Sequence, residues 1–124
     1  MTTHVLLVED NELNRDMLTR RLRRASYEVT TAADGAEALA LIRSAHPDIV
    51  LLDMNLPVMD GWTTCEEVRR DDSIRHTPII ALTAHAMGED RDRAIAAGCD
   101  DYATKPIDFP QLLEQIGRLC EDNT

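Results

Sequence analysis

Asp48-Ile49-Val50-Leu51-Leu52-Asp53 places an unbroken apolar run between two aspartates. A strand with one face in water alternates apolar and polar residues, because successive side chains point to opposite faces. A continuous run therefore fits a strand covered on both sides, as in the middle of a parallel sheet. His4–Val8 and Pro78–Thr83 read the same way, whereas Tyr27–Thr31 and Asp101–Thr104 are more polar, as edge strands are.

The segments between these runs carry helix punctuation. Asn11 is placed as an N-cap before a helix whose buried side is expected to hold Leu13, Met17, Leu18 and Leu22. Asp34 followed by Glu37 resembles a capping box. Gly98 stands where a helix over about residues 89–97 needs a left-handed residue to stop. Asp108 and Pro110 open a last helix with Leu112, Leu113, Ile116 and Leu119 along one stripe. Strands alternating with helices imply right-handed crossovers and helices on both faces of a parallel sheet. The expected fold is α/β: a flavodoxin-like (βα)5 doubly wound sheet in strand order 2-1-3-4-5, with residues 1–124 forming one domain.

Composition narrows the function. The formal net charge is -10, with 13 Lys and Arg against 23 Asp and Glu. That balance disfavours non-specific binding to nucleic acid or an anionic membrane, which both reward basic residues. Cys65, Cys99 and Cys120 are widely spaced and form no metal motif, so free thiols in a reducing cytoplasm are expected. His4, His46, His76 and His85 lack zinc-ligand spacing. Acidic pairs stand at Glu9-Asp10 and Asp100-Asp101, and grouped carboxylates suit a hard cation.

Polar residues also stand at the strand ends: Glu9 and Asp10 after the first, Asp53 ending the third, Thr83 ending the fourth, Lys105 after the fifth. Sites in open parallel sheets form at the carboxyl ends of strands, where strand order reverses. Three carboxylates converging there repel one another unless a cation such as Mg²⁺ neutralises them. A carboxylate can attack phosphorus to give an aspartyl phosphate. A hydroxyl and an ammonium would then donate to the oxygens of the transferred group.

The set Val8-Glu9-Asp10-Asn11, Leu51 to Gly61 (LLDMNLPVMDG), Leu82-Thr83-Ala84 and Tyr102-Ala103-Thr104-Lys105-Pro106 resembles the receiver domain of bacterial two-component response regulators. The likeness covers almost the whole chain, in order, and is nearest to stand-alone regulators of the DivK type and to the receivers of hybrid kinases. It implies Asp53 as phosphoacceptor and Mg²⁺ (or Mn²⁺) held by Asp10, Asp53 and the backbone carbonyl of Asn55, with Glu9 acting through a metal-bound water. Thr83 and Lys105 would bond phosphoryl oxygens, Thr83 and Tyr102 would switch on activation, and Asn55 and His85 would tune dephosphorylation. The Lys105–Pro106 bond is expected to be cis.

The implied function is a phosphoacceptor switch that catalyses its own phosphotransfer and dephosphorylation but turns over no separate metabolite. The phosphoryl donor would be a sensor histidine kinase or histidine phosphotransfer protein, and the output a downstream protein target. A homodimer through the face of the fourth helix, fifth strand and fifth helix is also open to it. Arg15, Arg20, Arg21, Arg23 and Arg24 on the first helix have two readings: complements to the helix dipole, or a docking patch with Leu13, Asn14 and Met17. Tyr102 alone reads as a half-buried edge-strand aromatic, and Trp62 as packing near the site mouth. A haloacid-dehalogenase-type phosphohydrolase is disfavoured because its nucleophile stands on the first strand within an Asp-x-Asp motif. A flavodoxin-like cofactor protein lacks support because no phosphate-cradling loop follows the first run.

Overall fold

The computed structural model describes residues 2–84 and 89–121. The elements run β1 (His4–Val8), α1 (Glu12–Arg24), β2 (Glu28–Ala32), α2 (Gly35–Ala45), β3 (Ile49–Asp53), α3 (Gly61–Arg70), β4 (Ile79–Thr83), α4 (Glu89–Ala97), β5 (Asp101–Thr104) and α5 (Phe109–Glu121). The sheet is parallel in the expected order β2-β1-β3-β4-β5. Three strands start one residue later than the sequence suggests, at Glu28, Ile49 and Ile79, within the usual uncertainty of element ends.

The central runs divide by alternation into two cores. Val5 and Leu7, Ile49 and Leu51, and Ile80 and Leu82 pack with Leu18 and Leu22 of α1 and Leu112 and Ile116 of α5. Leu6 and Val8, Val50 and Leu52, and Ile79 and Ala81 face Ile42 of α2, Val68 of α3 and Ala94 of α4. Each fully buried Leu, Ile or Val contributes about 1.5–3 kcal/mol of transfer free energy, which fixes strand register firmly.

Helix ends form as their residues require. Asn11 Oδ1 accepts the Asn14 N–H at 3.0 Å, and Asp34 Oδ1 accepts that of Glu37 at 2.8 Å. The return arm of the expected capping box is displaced: Glu37 Oε2 accepts from Ala33 N at 3.5 Å, not from Asp34. Gly98 closes α4 with φ +103°, a left-handed turn that lets the Cys99 N–H reach Ala94 O at 3.0 Å.

The expected buried side of α1 needs correction. Leu18 and Leu22 are buried, but Leu13 is 80% and Met17 48% exposed. Leu13 and Met17 lie one above the other at i and i+4, on a face of the helix that the sheet does not cover.

Candidate functional site

The register brings the polar strand ends together. Val8 pairs with Leu52, Asp53 with Leu82, and Thr83 with Thr104, so the residues following β1, β3, β4 and β5 share one edge. Carboxylate oxygens of Glu9, Asp10 and Asp53 lie within 4.8 Å of one another. Glu9 and Asp53 are 1% and 2% exposed, while Asp10 faces solvent. Lys105 Nζ donates to Asp53 Oδ2 at 2.9 Å and to Glu9 Oε2 at 3.2 Å. The second oxygens are also used: Asp53 Oδ1 accepts from Asn55 N at 3.0 Å, and Glu9 Oε1 from Asn11 N at 3.2 Å.

Burial first, and then the charge of Asp53, push the Glu9 carboxyl above the usual glutamate range, although Lys105 partly opposes them. Burial works against the Lys105 ammonium too, but its hydrogen bond to Asp53 and the negative charges of Asp53 and Glu9 outweigh that effect and hold it above the ordinary lysine value. When all three carboxylates are ionised, the single ammonium leaves two negative charges uncompensated. All-oxygen donors with that residual charge fit a small hard dication.

Other candidates stand close to this centre. Thr83 is buried at the end of β4, and its carbonyl accepts the Lys105 N–H at 2.8 Å. The Lys105–Pro106 bond is cis, as expected. Gly61 opens α3 directly against the end of β3: a Cβ there would lie 2.5 Å from Asp53 O and 2.6 Å from Met54 Cα. In the loop before it, Val58 has φ +67° while Met59 N donates to Pro57 O at 2.7 Å. That is a γ-turn conformation costly for a β-branched residue, and it lies between Asp53 and α3. His85 lies outside the described residues.

Tyr102 is half-buried on edge strand β5, with the Arg91 guanidinium 5.6 Å from its ring centroid and its carbonyl accepting from Gln115 Nε2 at 2.9 Å. Trp62 packs in the core beneath Arg93, whose guanidinium is 4.5 Å from the ring centroid. Neither arginine contact was legible in the sequence, since each joins two elements. Arg15 gains a specific part within the basic stripe: its Nη1 donates to the Glu9 carbonyl at 3.0 Å.

Asp100 and Asp101, grouped above with the cation-binding acids, are otherwise engaged. Asp100 pairs with Arg69 at 2.9 Å and caps the Ile79 N–H at 2.8 Å, and Asp101 pairs with Arg118 at 2.6 Å.

The response regulator receiver domain family matches residues 5–117. The chain belongs to that family. This receiver is 40% identical over 122 residues to the polar-differentiation response regulator DivK of Brucella ovis, covering 98% of the chain and 99% of the relative. It superposes with a TM-score of 0.90 and 37% identity on the receiver domain of sensor histidine kinase PA1611 from Pseudomonas aeruginosa, over 98% of this chain and 99% of that one. That structure has a magnesium ion coordinated in its active-site cleft. The receiver domain of Ssk1 from Saccharomyces cerevisiae, co-crystallised with the histidine phosphotransfer protein Ypd1, matches with a TM-score of 0.85 and 30% identity over 93% of this chain and 86% of that one.

The receiver is thus a signalling switch of two-component systems, and its acidic cluster fits a magnesium site. Among its described residues, no helix is long and apolar enough to cross a membrane.

Proposed function

We propose that Asp53 accepts a phosphoryl group from the phosphohistidine of a partner kinase or phosphotransfer protein. The observation that carries this reading is the buried Asp53 carboxylate, grouped with Glu9 and Asp10 and held at 2.9 Å by the Lys105 ammonium. An Asp53 oxygen attacks phosphorus while the P–N bond of the donor breaks. The imidazole nitrogen leaves with the electron pair and takes up a proton. Lys105 and Thr83 donate to the phosphoryl oxygens, which spread the charge of a loose transition state. Asp10, Asp53 and the Asn55 carbonyl would hold a divalent cation such as Mg²⁺ or Mn²⁺, which would supply positive charge to the carboxylates and the phosphoryl oxygens. Glu9 takes an indirect part, through a metal-bound water.

The receiver also catalyses its own dephosphorylation, and Asn55 and His85 occupy the positions that tune it. The added charge draws on Thr83 and Tyr102 and shifts a pre-existing equilibrium at the face of α4, β5 and α5. A downstream protein, or a second copy of the receiver, reads that face. The reading places the reaction in the cytoplasm.

The donor docks beside α1. A groove of about 470 Å³ runs from Glu9 and Lys105 past Pro106 and Ile107 to Met17 and Arg21. Leu13 and Met17 present the exposed apolar surface that a partner helix would cover.

Incubation with Mg²⁺ and acetyl phosphate, followed by intact mass, tests the central step. Wild type is expected to gain one phosphoryl group and Asp53→Asn none. Equal uptake by the two proteins would overturn the assignment, and sustained turnover of phosphoesters would point to a hydrolase.

A further inference from the structure

Cys65, on α3, and Cys99, just after α4, place their Sγ atoms 3.4 Å apart, with the Cys99 thiol donating to Cys65. They are 0% and 7% exposed, and neither belongs to the acceptor site. Buried cysteines are ordinarily small apolar packing groups. This pair differs in two respects: the sulfurs touch across two elements, and a guanidinium lies alongside. Arg69 Nε donates to Gly98 O at 2.8 Å, and its Nη2 reaches Asp100 Oδ2 at 2.9 Å, so the arginine spans the short segment that carries Cys99.

We propose that Cys65 and Cys99 form a redox modification site, which a hydroperoxide converts to an intramolecular disulfide joining α3 to the α4–β5 connection. The hydrogen bond from Cys99, aided by the charge of Arg69, lowers the Cys65 thiol against its burial, while the same bond and burial raise Cys99. Cys65, which accepts the Cys99 hydrogen bond, is assigned the attacking role and Cys99 the resolving one.

In the first step the Cys65 sulfur attacks one peroxide oxygen. An S–O bond forms, the O–O bond breaks, and the departing oxygen leaves as water or alcohol with the thiol's proton. In the second step the Cys99 sulfur attacks the sulfenic sulfur, an S–S bond forms, the S–O bond breaks, and hydroxide leaves as water with the Cys99 proton. Two thiols lose two electrons to one hydroperoxide. A disulfide of about 2.05 Å asks the sulfurs to approach by about 1.4 Å.

The bridge uses no atom of the acceptor site. It fastens the point where α4 turns back into β5 onto α3, so α4 can no longer shift independently of α3. Oxidation would thus restrain the output face while leaving Asp53 chemically intact.

Full-length Cys120→Ser protein, which keeps only this pair, is treated with graded hydrogen peroxide and read by intact mass and peptide mapping. The expected product is monomeric, lighter by two hydrogens, yields one cross-linked peptide containing Cys65 and Cys99, resists iodoacetamide, and reverts with dithiothreitol. In Cys120→Ser, Cys99→Ala protein the same dose should leave Cys65 as a sulfenic acid that dimedone traps. Dimedone labelling of Cys65 to the same extent whether or not Cys99 is present would overturn the proposal. So would persistence of two free thiols at doses that fully oxidise a free cysteine standard. Neither result touches Asp53 phosphorylation, so the two readings stand or fall separately.

Discussion

Lys105 Nζ bonds Asp53 Oδ2 at 2.9 Å, and the same ammonium holds Glu9 Oε2 at 3.2 Å, joining residues 52 and 96 positions apart in the chain. One cation thus serves two buried carboxylates. Lys105→Met removes that cation and, on the proposed mechanism, a donor to the phosphoryl oxygens. A charge-assisted hydrogen bond of about 1.5–3 kcal/mol corresponds to about 10- to 100-fold slower phosphoryl uptake from acetyl phosphate. In metal-free buffer the variant is expected to melt below wild type. Mg²⁺ should then raise its thermal midpoint by more than it raises that of wild type, because ligand binding to the folded state relieves the uncompensated charge. An equal Mg²⁺ response in the two proteins would argue that Lys105 does not offset the cluster.

Gly61 constrains Asp53 through the backbone. A methyl group there would press on Asp53 O and Met54 Cα, both main-chain atoms that cannot rotate away. Gly61→Ala must push the start of α3 off the end of β3, and overpacking of this kind costs about 1–3 kcal/mol. Urea denaturation should show that loss. Phosphoryl uptake should also fall in the folded variant, since Asn55 N and the Asp53 carboxylate move with that backbone. Wild-type kinetics together with lower stability would confine Gly61 to a structural part.

The strand runs were legible because burial on both faces leaves no polar position: β1, β3 and β4 are buried almost without interruption. The parallel pairing then carries the polar ends to one edge, so Glu9, Asp10, Asp53, Thr83 and Lys105 could be read as a group. What pattern could not separate is apolar from buried. Leu13 and Met17 repeat at the helical interval as faithfully as Leu18 and Leu22, and only the position of the sheet shows which pair it covers. The partners of Asp100, the Arg91–Tyr102 and Arg93–Trp62 contacts, and the Cys65–Cys99 contact all join separate elements. No local spacing encodes such pairs.

Asp71 offers a test away from the site. It caps the end of α3, accepts from Ser73 Oγ at 2.7 Å and from Ser73 N at 2.9 Å, and meets Arg43 Nε of α2 at 2.9 Å. The Ser73 hydroxyl foremost, then Arg43 and the Ser73 N–H, bring its carboxyl down to about 2. A carboxyl depressed on folding favours the folded state above its unfolded value, and that contribution is lost as pH falls through the folded one. Asp71 therefore supports the fold at neutral pH, progressively less below the ordinary aspartate range, and not at all below about 2. A carboxyl-carbon NMR titration should find this low midpoint, and Ser73→Ala should move it back toward the ordinary range. An unchanged midpoint in Ser73→Ala would assign the depression to Arg43 and the main-chain N–H of residue 73 instead.

The exposed pair on α1 separates docking from chemistry. Leu13 and Met17 contact neither Asp53 nor Lys105 through any hydrogen bond, yet Met17 lines the groove that leads to Glu9 and Lys105. Acetyl phosphate is small and needs no such surface, whereas under the proposed docking a phosphohistidine carried on a helix is held against α1 before its phosphorus reaches Asp53. Truncating a well-packed interface anchor costs about 2 kcal/mol or more, or roughly 30-fold in affinity. Leu13→Ala and Met17→Ala should therefore leave uptake from acetyl phosphate near wild type. The same substitutions should slow transfer from a phosphorylated histidine phosphotransfer domain at sub-saturating concentration by about 10-fold or more. If both donors slow in parallel, the α1 face acts through the fold of the site. If neither slows, the donor docks elsewhere and the groove between α1 and Pro106 has no part in partner choice.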